Sequence, residues 1–335
     1  MHEHSHPGRD LCHDADVNYE LRDASNDGYR HGMRLSRPSS GARSKSAALL
    51  GIASLALAAA AGCGSSAADS GHDAKGSGPV DVLYAGSLVP LMQNQVDQAF
   101  QSADGYSVNG FSAGSKDLAT EIRGEVHPAD VFISASPKVN ASLRGETNGN
   151  WVSWYATFAT SKLVIGYNPH SKFAKDLKSR PWYDVIAEPG FRLGFTDPAT
   201  DPKGELAAEA LTDTAAKRHR PALTKLASGT SDVFPEETLV GRLQSGQLDA
   251  GFFYTSEATA ASIPAVPLTG ENLKATYTIT VLNKAPHEAA AEKFVSYLLG
   301  SAGRAALQRD GFSLVSPPKV TGSGVPSSLS SVVKS

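Results

Sequence analysis

From residue 80 onward the apolar positions follow two alternating rhythms, short continuous runs and helical spacings. Residues 80–85 form a short apolar strand that stops at Gly86-Ser87. Over 89–100, Leu91, Val96 and Phe100 return on or near one helical face. Residues 106–111 alternate as a strand, end at Ser112-Ala113-Gly114-Ser115, and lead into a helix over 118–123. The runs 130–134 and 162–167 are continuously apolar, as strands buried on both faces of a parallel sheet are. A strand over 191–195 gives way to a polar turn, 196–204, and an alanine-rich helix, 205–217. A helix over 236–245, strands at 250–254 and 277–282, and helices at 287–299 and 302–310 complete the pattern. From Pro317 the chain reads as a surface tail. This alternation predicts an α/β protein with mostly parallel sheets and right-handed crossovers.

Ahead of residue 80 the pattern changes character. An Ala/Leu-rich apolar run begins at residue 47, follows Arg34, Arg37, Arg43 and Lys45, and ends in small residues and Cys63. Basic, apolar and small residues in that order make a secretory signal. The run is shorter than the roughly 20 residues of a comfortable membrane span. Its end resembles the lipobox of bacterial lipoproteins, although Ala60 stands where leucine is commoner. The resemblance implies that the Cys63 thiol is lipidated, anchoring the mature protein to a membrane face outside the cytoplasm. Residues 33–62 are then the signal peptide, with Met33 as the biological start. Residues 1–32 read as a mis-assigned extension; His2, His4, His6, His13 and His31 lack the fixed spacing of a metal-binding tract. Residues 63–79, rich in Gly, Ser, Ala and Asp, read as a flexible tether.

Composition narrows the chemistry. A net charge of -3 implies no basic face for nucleic acid. The two cysteines are Cys12 and Cys63, so the folded part has no thiol for a disulfide, a thiolate metal site or a nucleophile. His127, His170, His219 and His287 are scattered without metal-ligand spacing. No nucleophile elbow, phosphate-binding P-loop or His-Glu-x-x-His is found, and no cofactor is expected. The remaining roughly 240 residues suffice for two compact lobes.

The candidate chemistry sits at strand ends, where open α/β sheets bind ligands. Gly86-Ser87 and Gly114-Ser115 each lie between a strand and a helix start. The serine hydroxyl and the free N–H groups of such a helix start can hold an anion. A single Gly-Ser is most simply a helix cap; two on consecutive βα units favour an anion site.

Several strings then resemble molybdate/tungstate-binding proteins of ABC importers. They are Val-Leu-Tyr-Ala-Gly-Ser-Leu-Val-Pro-Leu-Met (82–92), Ser-Ala-Gly-Ser-Lys-Asp-Leu-Ala (112–119) and Pro-Ala-Asp-Val-Phe-Ile-Ser-Ala-Ser-Pro (128–137). Phe-Ala-Thr-Ser-Lys-Leu-Val (158–164), Gly-Phe-Thr-Asp-Pro-Ala-Thr-Asp-Pro-Lys-Gly (194–204) and Leu-Gln-Ser-Gly-Gln-Leu-Asp-Ala-Gly-Phe-Phe-Tyr (243–254) follow. Each is weak alone, but order and spacing together are specific, and they cover residues 80–317. The resemblance, nearest to the tungstate/molybdate branch, implies a two-lobed type II periplasmic-binding-protein fold with one oxyanion in the interlobe cleft. Lobe one would hold 80–158 and 260–317, lobe two 159–259, leaving 318–335 as the tail. It implies hydroxyl ligands from Ser87 and Ser115, a backbone N–H from Ala159, a carboxylate from Asp201, a hydroxyl from Tyr254, and Glu236 paired with that aspartate. The partners it implies are an ABC permease and its ATPase, with the receptor itself a monomer.

Two carboxylates beside a dianion need a physical reason. Like charges at ~4 Å and an effective dielectric near 20 repel by roughly 4 kcal/mol per pair. Asp201 and Glu236 make sense as direct oxygen ligands to molybdenum or tungsten, which expand from four to six oxygens as sulfur and phosphorus do not readily do. The simpler alternatives are that Asp201 is a turn residue before Pro202 and Glu236 a helix-start acid after Pro235; the neighbouring Glu237 is a rival ligand. Two function classes follow. One is a transport receptor, for molybdate/tungstate or else sulfate, phosphate or ferric iron. The other is an extracellular hydrolase using Ser87 or Ser115, disfavoured because no histidine accompanies either serine.

Overall fold

The structure, a computed structural model, describes residues 76–229 and 232–333. The signal segment, Cys63 and nearly all of the tether lie outside the described residues. Strand β1 (Pro79–Ala85) leads through short helical turns into helix α1 (Asp97–Asp104). Then come β2 (Ser107–Ala113), α2 (Ser115–Arg123) and β3 (Val131–Ser134). β1 pairs in parallel with both β2 and β3. From Val82 its run is apolar because both faces are covered: Val80, Val82 and Tyr84 enter the main core, while Leu83 packs with Leu118, Ile122 and Phe132 on the other side.

β4 (Trp154–Tyr167) is 14 residues long and joins two halves of the molecule. The chain continues through β5 (Leu193–Gly194), α3 (Pro202–Arg218), α4 (Glu236–Gln244), β6 (Ala250–Tyr254), α5 (Thr255–Ala260) and β7 (Ala265–Pro267). It returns through β8 (Lys274–Val281) and closes with α6 (Glu288–Leu299), α7 (Ser301–Arg309) and β9 (Ser313–Gly322). The strand order is β2-β1-β3-β8-β4-β6-β5, with β7 and β9 also on β4. The first part of β4, through Lys162, lies between β8 and β9; Leu163–Tyr167 lies against β6 and β7. One strand is thus shared by two α/β lobes. Pairing passes to the second lobe between Lys162 and Leu163 and returns between Pro267 and Lys274.

The α/β class is as expected, but mostly parallel pairing is corrected. Three ladders are parallel, and β3·β8, β4·β8, β4·β9, β4·β6 and β4·β7 are antiparallel. A strand that carries the chain across and another that brings it back must run in opposite directions. The expected tail is also corrected. The chain pairs with β4 as far as Gly322, and Leu329 and Val333 are buried. Pro317 and Pro318 sit in a register break, opposite Phe158, on an edge strand, where missing N–H groups are tolerated. Aromatic packing fastens the first lobe: Phe100 meets Phe294 edge-on at 5.3 Å, both fully buried, each contributing roughly 1.5–3 kcal/mol.

Candidate functional site

The two Gly-Ser turns and the two carboxylates come from different lobes and meet. A β-carbon on Gly114 would lie 2.6 Å from the Thr200 carbonyl oxygen and 3.2 Å from Asp201 Cβ. One on Gly86 would lie 2.7 Å from Glu236 Oε2 and 2.8 Å from Glu237 Oε1. Gly114 has an ordinary φ of -57°, so approach of the other lobe, rather than backbone conformation, is what requires glycine there. Lys116 completes the contact. Its N–H donates to the Thr200 carbonyl (3.0 Å), and its ammonium donates to the Pro198 carbonyl (2.8 Å) and to Glu205 (2.5 Å). The lobes are closed on one another.

Neither serine caps its helix. Ser115 Oγ accepts from the Ala135 N–H at 3.1 Å, and Ser87 Oγ accepts from the Tyr277 hydroxyl at 3.0 Å. Both are buried. Each accepted bond leaves the serine's own O–H to donate, the arrangement an anion needs. Ala159 pairs with Tyr277 beside the irregularity in β4, which brings it to the same layer. Tyr254 ends β6 fully buried, and its hydroxyl has no partner among the described residues.

Asp201 caps α3: its Oδ1 accepts the Lys203 N–H at 2.9 Å, and Pro202 follows as the first helical residue. Asp201 Oδ2 makes no hydrogen bond of ordinary geometry among the described residues, and the Thr196 hydroxyl beside Asp201 favours its charged form. Glu236 opens α4, buried, while Glu237 beside it is exposed. The two rival glutamates differ in burial, and both line the cavity. Glu236 Oε1 is ion-paired with Lys203 Nζ at 3.0 Å, at an angle off a straight hydrogen bond, and Oε2 has no partner. The sequence reading missed two members of this cluster. Lys203, fully buried, also donates to Glu257 Oε1 at 2.7 Å. Glu257 in turn accepts the Tyr254 N–H at 2.8 Å. The Lys203 ammonium lies 5.7 Å from the centre of the Tyr254 ring.

Burial pushes the Asp201 carboxyl up to about 7, reinforced by Glu236 and opposed by Lys203. Burial also pushes Glu236 up to about 7, with Lys203 pulling it back and Glu257 adding to the rise. Burial alone would lower Lys203; Glu236, Glu257 and Asp201 outweigh it and hold the ammonium above its ordinary value. Burial raises Tyr254 and Tyr277 well above the usual phenol range, with the neighbouring acids adding to it. One ammonium faces three carboxylates here, and two of the acids keep a free oxygen. A cavity of about 330 Å³ reaches them, lined among others by Gly114, Thr196, Asp201, Phe234 and Glu236. It stops short of Ser87, Ser115, Ala159 and Tyr254, which are buried beside it.

A second group of acids forms at the far end of β1. The carboxylate oxygens of Asp81 and Asp130 and a ring nitrogen of His287 lie within 4.8 Å of one another. His287, scattered in sequence, is thus not isolated in space. Every oxygen of Asp130 is used: Oδ1 accepts the His287 N–H (2.6 Å), and Oδ2 the Asp81 N–H (2.8 Å) and contacts His287 Nδ1 (3.0 Å).

Comparison with known proteins gives the family. Residues 80–313 match the bacterial extracellular solute-binding protein family. A putative ABC transporter molybdenum-binding protein of Haloferax volcanii is 32% identical over 224 residues, 66% of this chain and 68% of its own length. The molybdate/tungstate-binding protein WtpA of Thermococcus kodakarensis is 24% identical, over 82% of this chain and 92% of its own. The Azotobacter vinelandii periplasmic molybdate-binding protein shares the fold, with a TM-score of 0.56 at 22% identity over 70% of this chain and 99% of that one. The sulfate-binding protein SubI of Mycobacterium tuberculosis does so at a TM-score of 0.54 and 18% identity, over 71% and 88%. Fold likeness alone thus does not select an anion. The architecture is the two-lobed type II periplasmic-binding-protein fold. The chain belongs to the bacterial extracellular solute-binding proteins, a solute receptor of an ABC importer acting outside the cytoplasm, and not an enzyme.

Proposed function

We propose that this receptor captures molybdate or tungstate and presents it to an ABC permease driven by a cytoplasmic ATPase. Ser87 and Ser115 donate O–H bonds to the oxyanion, with Ala159 N–H and the Tyr254 hydroxyl completing the donor set. Asp201 Oδ2 and Glu236 Oε2 bond directly to the metal centre. The observation that carries this reading is a pair of buried carboxylate oxygens without hydrogen-bond partners, both from the second lobe and both on residues that line the cavity. Beside sulfate they would only repel. Beside molybdenum or tungsten they complete an expanded shell of hard oxygen ligands. Relatives bearing molybdenum-binding and molybdate/tungstate-binding names support the same ligand class. The receptor works as a monomer, lipid-anchored through Cys63.

Calorimetry on the chain from residue 64 onward, with tungstate, molybdate, sulfate and phosphate in turn, tests the reading. One-to-one binding of the first two with silence on the others is the expected result. A preference for sulfate or phosphate would keep the receptor and remove the coordination argument.

A further inference from the structure

Lys203 contacts one oxygen of each of the two buried carboxylates that line the cavity. Its backbone N–H takes Asp201 Oδ1 at 2.9 Å. Its ammonium takes Glu236 Oε1 at 3.0 Å. The oxygens left over are Asp201 Oδ2 and Glu236 Oε2, both without a hydrogen bond of ordinary geometry among the described residues. The lysine is itself fixed. It is fully buried, in the first turn of α3, and its other anchor is Glu257, 2.7 Å away. Glu257 is anchored in turn by the Tyr254 N–H. A cation in the first turn of a helix opposes the helix dipole, so the position is retained against a local electrostatic penalty. What it gains is two ion pairs in a site from which water is excluded.

We propose that the Lys203 side chain is a specificity-determining positioning group: its ammonium ion-pairs with one oxygen of Glu236, while the backbone N–H at the same position holds one oxygen of Asp201, so that each acid is left as a single-oxygen donor. This rests on the molybdate/tungstate reading above. A free carboxylate can chelate with both oxygens, or swing its second oxygen toward a bound anion. With Lys203 in place the site offers two added oxygens to a centre that arrives with four, a count of six. A tetrahedral anion that stays four-coordinate gains nothing from those oxygens and meets their charge. Lys203 touches the ligand through neither of these bonds; it acts through the two acids.

The test compares the wild-type chain with K203M/E257Q and with K203Q. The double variant removes one positive and one negative charge together, so local charge is conserved while Glu236 loses its tether. The glutamine at 257 still accepts the Tyr254 N–H. Each folded protein is loaded with tungstate and with molybdate. X-ray absorption at the metal edge gives the coordination number, and calorimetry gives the tungstate-to-sulfate preference. The expected result is six oxygens in the wild type. In the variants the count departs from six, and the preference falls about ten- to a hundredfold, the scale of one charge-assisted hydrogen bond. A folded variant that keeps six oxygens and an unchanged preference overturns the role of Lys203. Variants that fold neither with nor without tungstate overturn it too, since the lysine is then a fold-holding cation. A wild type that binds the metal oxyanion with four oxygens, or fails to bind it, instead overturns the coordination reading on which the proposal stands.

Discussion

Two clusters among the described residues each gather acids around one basic residue, and of the two the cleft cluster has the makings of a binding site. In the group formed by Asp81, Asp130 and His287 the buried carboxylate spends both oxygens on neighbours. Asp81 Oδ1 also receives the Asn109 amide, at 3.1 Å. That group pins the start of α6 to the entry of β1 and β3. In the cleft group, position 203 hydrogen-bonds one oxygen of Asp201 and ion-pairs with one of Glu236, and the other oxygen of each is left open. The type and number of acids do not distinguish the two clusters. Unfinished hydrogen bonding does, because a buried acceptor without a partner is tolerated where a ligand will supply one.

The contrast breaks most sharply at Glu236. Glu236→Ala should weaken tungstate binding about thousandfold, near 4 kcal/mol, while sulfate affinity changes little; parallel calorimetry checks it, and an unchanged preference for tungstate over sulfate would end the coordination argument. Next comes pH. The folded values of Asp201 and Glu236 are raised, so the empty protein holds protons that the unfolded chain releases. Stability from these protonated acids is complete below their ordinary values of 3.8 and 4.5 and is lost as pH rises through about 7. Unfolding of the ligand-free protein should therefore lose several kcal/mol, roughly 8 at most, across that window, and D201N/E236Q should flatten the slope. Asp130→Asn should destabilise the fold by about 2 kcal/mol, since the amide confronts two N–H donors with one of its own. Denaturant titration measures that loss, and an altered anion preference in the same variant would blur the distinction between the clusters. Smallest is Lys116→Ala. The Lys116–Glu205 pair is partly exposed, so its removal should cost less than about 1 kcal/mol and appear as a few-fold faster release of anion in stopped-flow.

Much of the fold was legible because the chain announces buried strands plainly. The run Ala250–Tyr254 is continuously apolar and forms a strand with those bounds. The cleft was legible only in part. The helix was read as starting at Glu205, with Asp201 to Gly204 left in the turn, whereas α3 begins at Pro202. Asp-Pro is a cap followed by the favoured first helical residue. Reading it so would have put Lys203 in a first turn, where a cation needs an explanation. Glu257 carried a similar sign, three residues after the strand end at Tyr254, the spacing of an acid that reaches back to its own helix start. The Asp130–His287 contact joins residues far apart in sequence and had no local signature. β9 hid behind two prolines whose edge position only the partner strand reveals.

The lobes meet most tightly at Gly114 through main chain, glycine against the Thr200 carbonyl, with the Lys116 N–H bonded to that same oxygen. Side chains yield by changing rotamer; peptide groups in a strand end and a helix start do not. An anion slightly too large therefore cannot be accommodated by gradual give at this seam. It holds the seam ajar, and the shared carbonyl bond is either made or absent. Size discrimination in such a receptor has a threshold, and the shape offered to the permease changes in a single step.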